Sequence, residues 1–243
     1  IKAIGFVPFD SEIKKAGLYG DSAWRSLPER CERRTPSDVW TAEDMRRFLS
    51  FSMDFEDMPV GHKPATFRIG TSGEDATFVV TDEAACTGTK SYKCIDRAGL
   101  RKPFYPYIHL APRSVGPSKV RFSFDVMNSE TAPMRFYVEF RGKGSTSDVG
   151  PSLHFHADGK LVANDADILT ARPGTWCHVA IALDLAEDAP KQYSLVTRHA
   201  GQEKRQTLPY RHDTFSDLRW LGISAAEDAD GVFYLDNVSL TVE

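Results

Sequence analysis

Nine polar side chains of the kind that can grip or transform a sugar recur at alternate positions of four short runs: Arg121, Asp125, Arg135, Tyr137, Glu139, Arg141, His154, His156 and His178. Alternate residues of a strand share one face, so neighbouring strands would gather these groups on one surface. Arginine meets a carboxylate or sulfate with two parallel hydrogen bonds. Tyrosine offers an apolar ring and a hydroxyl, which suits a pyranose. Histidine exchanges a proton near neutral pH. The competing reading is an ordinary solvated face stitched by cross-strand ion pairs. The glycan-binding candidates are Arg135, Tyr137, Glu139, Arg141, His154, His156 and His178.

Other chemistries find less support. No Gly-x-Ser-x-Gly elbow, phosphate loop or dinucleotide fingerprint occurs. No Glu-x-Asp-x-x-Glu strand supplies the paired carboxylates of a retaining glycosidase, and Glu139 stands alone in Tyr137-Val138-Glu139-Phe140. His154-x-His156 could share a metal, but no third ligand follows at a fixed spacing. The four cysteines form no CxxC pair. Cys86 and Cys94 flank a turn and could bridge a hairpin, or Cys94 and Cys177 could be small buried residues. The net charge of −4 argues against nucleic-acid binding, and no apolar run is long enough to span a bilayer.

The elements that must position these groups are strands. Val120, Phe122, Phe124 and Val126 alternate with polar residues, as do Met134 to Phe140, Leu153 and Phe155, and Cys177 to Leu183. Asp158-Gly159 between two runs predicts a two-residue hairpin. Further strands are predicted at 66–70, 76–81, 91–95, 105–110, 192–199, 203–208, 218–224 and 232–241. Many short strands between Gly, Pro, Asn and Asp predict an all-β antiparallel sandwich or jelly roll over 51–243. Residues 1–50 differ. Asp21, and Thr41 with Asp44, predict caps of two short helices. This segment is too small to own a core and reads as a tail of, or linker to, another domain. The chain begins at Ile1 without a signal peptide, which suggests a processed chain or a fragment. Phe104, Tyr105, Tyr107, Tyr210 and Trp220 are candidates for a stacking platform, although most aromatics at strand spacing face a core.

The run Leu153-His154-Phe155-His156-Ala157-Asp158-Gly159-Lys160-Leu161-Val162-Ala163, followed by Pro173-Gly174-Thr175-Trp176-Cys177-His178-Val179-Ala180, resembles the centre of laminin-G-like, concanavalin A-like domains. Asp54 to Gly61 and Phe233 to Leu240 are similar to the opening and closing strands of carbohydrate-active accessory modules. In several such modules those strands share a structural calcium, which the resemblance would place at Glu56, Asp57 and Asp236; the alternative is that these are turn and edge residues. The acidic loop Glu227-Asp228-Ala229-Asp230 is a weaker calcium candidate and reads first as solvated. Gly5 to Asp10 and Lys15 to Trp24 are similar to a segment that follows right-handed β-helix domains in large secreted bacterial proteins. The resemblance implies a non-catalytic carbohydrate-binding or structural module of a secreted, periplasmic or cell-surface polysaccharide-degrading enzyme. Its partners would be a polysaccharide or oligosaccharide, an acidic one among the candidates, and a preceding β-helix domain or partner chain. Two alternatives stand: a jelly-roll lyase acting on an acidic glycan through Arg, Tyr and His, and a structural cap that docks on the β-helix. Lys15-Ala16-Gly17-Leu18-Tyr19 echoes a strand of jelly-roll alginate lyases, but their companion motifs are absent.

Overall fold

The structure, a computed structural model, describes residue 46 and residues 49–112, 115–143 and 148–243, all within the unit Glu43–Glu243. The β-helix-tail-like stretch and the first predicted helix lie outside these residues. Of the second, Arg46 and Leu49 are helical, and the Ser50 amide donates to the Arg46 carbonyl at 3.1 Å.

The fold is an antiparallel β-sandwich. The first sheet runs β13 (Gln202–Pro209), β12 (Gln192–His199), β11 (Cys177–Asp184), β6 (Lys119–Asn128), β15 (Gly231–Val242), β4 (Ser91–Asp96) and β3 (Thr77–Thr81), with β1 (Phe51–Met53) also on β15. The second runs β10 (Ala166–Thr170), β9 (Lys160–Ala163), β8 (Val149–Phe155), β7 (Phe136–Arg141), β14 (Trp220–Ala225), β5 (Tyr107–Leu110) and β2 (Arg68–Gly70). The predicted alternation is therefore real. Phe122, Phe124 and Val126 of β6 and Val179, Ile181 and Leu183 of β11 face Phe136, Val138 and Phe140 of β7 and Leu153 and Phe155 of β8, all buried in one core.

Stacked rings clamp the two sheets. Phe136 lies between Phe155 and Phe233, with ring centroids 4.5 and 4.0 Å away. Each such burial is worth roughly 1.5–3 kcal/mol. Cys86, Cys94 and Cys177 carry free thiols, and Cys94 and Cys177 are buried; the hairpin bridge between Cys86 and Cys94 is not formed.

Two irregularities matter for the polar faces. Opposite β7, the strand β8 carries one extra residue, since Glu139 pairs with Ser152 while Arg141 pairs with Val149. Pro151 falls in that bulge, where a missing N–H breaks no ladder bond. In β15 the register shifts between Asp236 and Ser239, with Asn237 at φ +49°.

Candidate functional site

The outer face of the second sheet holds the densest chemistry. It is built by cross-strand partners: Tyr107 and His109 on β5, Trp220, Gly222 and Ser224 on β14, Tyr137, Glu139 and Arg141 on β7, and Ser152 and His154 on β8. At its centre Glu139 is only 6% exposed. Arg141 donates to its Oε2 from Nε at 2.8 Å and from Nη2 at 2.6 Å. Ser152 donates to Oε1 at 3.0 Å, and Arg211 approaches the same oxygen at 3.4 Å. A buried carboxylate needs such pairing.

Arg141 is oriented from several sides. Nη2 also donates to the Tyr137 hydroxyl at 3.3 Å, and the guanidinium lies 4.2 Å from the centre of the Trp220 ring. Beyond Trp220 the row of rings continues through His109 at 6.0 Å, Tyr107, Tyr105 and the exposed Phe104. Glycines make room for it. A Cβ at Gly222 would stand 2.2 Å from Trp220 Cη2, and one at Gly70 would stand 2.2 Å from Tyr107 Cζ.

His154 stands beside Tyr137, ring centroids 5.7 Å apart. Its Nε2 is 3.3 Å from Ser152 Oγ. The serine gives its one proton to Glu139, so it accepts from His154, and the imidazole keeps its proton on Nε2. The basic lone pair is then on Nδ1. Burial pushes the His154 pKa below its ordinary value, and Arg211, Arg135 and His156 push the same way against the attraction of Glu139. Burial and then Arg68 lower His109 as well, and its buried Nδ1 has no partner. Both histidines are therefore biased to the neutral form.

The structure brings Tyr137, Glu139, Arg141 and His154 together. Arg135, just before β7, is exposed and within electrostatic reach of His154. His156 sits in the turn after β8, where its amide donates to the Lys160 carbonyl. His178 is not in this group. It lies on β11 of the first sheet, where its Nδ1 is 2.8 Å from Asp125 Oδ1 and Asn237 donates to the other oxygen at 2.7 Å. Arg121 and Asp125 are on that same first sheet. The single face expected from the sequence is thus two faces on opposite sides of the sandwich. His109, Ser152 and Arg211 were missed. His109 could have been found from its spacing to Tyr107, whereas Arg211 comes from a loop and carries no pattern. Tyr107 and Trp220 do line the face, but Tyr210 is buried.

The acids of the opening and closing strands hold one loop. Asp236, fully buried, accepts from the amides of Cys86 (2.8 Å), Thr87 (3.1 Å) and Asn237 (2.7 Å). Glu56 accepts from the amides of Thr89 and Lys90, and the Lys90 ammonium donates to the carbonyls of Glu56 (2.6 Å) and Met58 (2.8 Å). Asp57 is exposed.

No protein-family model and no curated protein matches the chain. Solved structures do. A mutant of the alginate lyase Aly36B in complex with alginate trisaccharide superposes with a TM-score of 0.52 at 10% identity, over 79% of this chain and 97% of that one. An endo-β-1,4-glucuronan lyase from the fungus Trichoderma reesei gives 0.49 at 12% identity, over 79% and 94%. TmCBM61 in complex with β-1,4-galactotriose gives 0.35 at 7% identity, over 74% and 90%. At these identities the likeness is one of fold, an antiparallel β-sandwich of the jelly-roll kind.

Proposed function

We propose that this chain is a carbohydrate-binding module for an acidic polysaccharide met outside the cell, which it engages on the outer face of the second sheet. The observation that carries the reading is the local charge. Arg68, Arg135, Arg141 and Arg211 stand around the row from Trp220 to His154, and the acid among them, Glu139, is buried beneath Arg141. A chain of net charge −4 therefore presents a cationic, aromatic-edged face. Guanidinium groups match uronate carboxylates or sulfates, and the rings supply apolar edges for the sugar. Affinity electrophoresis tests this. The protein is retarded by alginate, polygalacturonate or a sulfated glycan and not by a neutral glucan, and Arg211→Ala abolishes most of the retardation. Equal mobility in all gels sinks the proposal.

One observation favours a second reading, that the same face is a lyase centre. Burial biases His154 to the neutral form, its contact with Ser152 is made through Nε2, which puts the basic lone pair on Nδ1, and Tyr137 is beside it. In β-elimination the base takes the proton α to a uronate carboxylate, the electron pair forms the new C=C bond, and the glycosidic C–O bond breaks as an acid protonates the leaving oxygen. His154 would be the base, Tyr137 the acid, and an arginine would hold the carboxylate. New ultraviolet absorbance from unsaturated ends, lost in His154→Gln, is the expected result. A flat trace on substrates that bind removes this reading and leaves binding intact.

A further inference from the structure

We propose that the outer face of the first sheet carries a second pocket, one that takes a single sugar bearing an acidic group. It lies on the opposite side of the sandwich from Tyr137 and His154. One row of cross-strand partners crosses it: Arg121 on β6, Ala182 on β11, Ser194 on β12 and Thr207 on β13. Strands stand about 4.8 Å apart, so the small side chains of Ala182 and Ser194 leave a gap of about 14 Å between the backbones of β6 and β13. One alternation along, Lys119, Asp184 and Gln192 form the next row. The cavity between these groups measures about 290 Å³. Pockets for larger ligands run from roughly 300 to 1,000 Å³, so this one suits a single sugar rather than a chain.

The wall is fixed before a ligand arrives. In the β11–β12 connection the Ala189 amide donates to the Ala186 carbonyl at 3.1 Å and the Gln192 amide to the Pro190 carbonyl at 2.8 Å. The Tyr210 amide donates to the Lys191 carbonyl at 3.0 Å. Tyr193, buried beneath, stacks on Tyr210 with ring centroids 6.5 Å apart. Such preorganisation lowers the cost of binding. The chemistry is that of an acidic sugar. The lining carries two cations, Lys119 and Arg121, against one acid, Asp184. The Arg121 side chain is 64% exposed, and its contact with Glu243, at 3.9 Å, is too long for a hydrogen bond. Its guanidinium is open to a carboxylate or sulfate group. Asp184 gives one oxygen to the Ala186 amide at 2.9 Å and keeps the other to accept from a sugar hydroxyl. Ser194, Thr207 and Gln192 add hydroxyl and amide partners, and Ala182 an apolar contact for the ring. A neutral sugar leaves both cations unmatched, and a bare anion leaves the hydroxyl-binding groups unused. The pocket extends the binding of acidic glycans to a new place and shares no residue with the other face, so the two fail separately.

Amide resonances in a proton–nitrogen correlation spectrum read each face by itself. Methyl glucuronide and a sulfated glucose are titrated into the chain, with methyl glucoside and inorganic sulfate as controls. The acidic sugars should shift the amides of Ala182, Ser194 and Thr207 saturably, and the controls should bind about tenfold more weakly or worse. Whichever acidic sugar binds more tightly names the acidic group. Arg121→Ala, at an exposed position, keeps the fold and weakens pocket binding by about tenfold or more, as loss of a hydrogen bond to a charged group does. Ala182→Gln fills the floor and abolishes it. No saturable shift at those amides, an equal response to methyl glucoside or to sulfate alone, or a response intact in Arg121→Ala overturns the pocket. Shifts that fail only at Tyr137 and His154 overturn the other face and leave the pocket standing.

Discussion

The residue that organises the candidate face is Glu139. It contributes no accessible charge, yet it fixes both arginines around it. Removing Arg141 leaves a nearly buried carboxylate with Ser152 and the longer Arg211 contact. Breaking a buried pair from one side is expected to destabilise by about 3 kcal/mol or more. Urea denaturation of Arg141→Ala should show that loss, and adding Glu139→Gln should recover much of it, because no unpaired charge remains. His154 and His109 set a second expectation. Their folded pKa values lie below the ordinary 6.5. The unfolded chain therefore binds more protons as pH falls. The stability they contribute is complete above about 6.5 and is lost as pH drops through their lower folded values. Thermal melts from neutral to acidic pH should show this slope, and it should flatten in His154→Gln combined with His109→Gln. A slope unchanged in that variant would mean that other groups titrate.

At the scale of elements, much was legible. Alternation located β6, β7, β8 and β11, and Asp158-Gly159 located the β8–β9 turn. There the Gly159 amide donates to His156, the Lys160 amide donates to Asp158 Oδ1, and Gly159 holds φ +87°. A methyl group at Gly159 would meet the Ala171 carbonyl oxygen at 1.9 Å. Gly159→Ala should therefore cost about 1–3 kcal/mol, measurable as a lower urea midpoint with an unchanged slope. What alternation could not state is which sheet a strand joins. β6 pairs with β11 and β7 with β8, while the chain crosses between sheets after Asn128. Period two says that His178 and His154 both face away from the core, but not that they face opposite ways. The rings were illegible for a related reason. Tyr107, Trp220 and Tyr210 were alike candidates for a stacking platform, and spacing does not say that Tyr210 is buried while the glycines at 70 and 222 make room for the other two on the outer face.

At the scale of the whole molecule, the charge is unevenly placed. Acidic groups gather at the sandwich end around Asp96 and along the loop held by Glu56 and Asp236, while arginines surround Tyr137 and His154. The net charge of −4 hides this division. A polyanion should then be repelled by the molecule at long range and held by one face at short range. Salt acts on these two effects unequally. With a screening length of about 10 Å at 0.1 M and ~30 Å at 0.01 M, the first additions of salt mainly remove the long-range repulsion. Further salt screens the exposed arginines themselves. Calorimetric affinity for an acidic oligosaccharide should accordingly change little, or rise, between about 0.01 and 0.1 M salt, and then fall steadily toward ~1 M. Arg211→Ala should lower affinity throughout and reduce the high-salt slope, because Arg211 is the more exposed of the two arginines on Glu139. An affinity indifferent to salt over the whole range would instead mean that the sugar is held by rings and neutral hydrogen bonds, with the arginines serving only to satisfy Glu139.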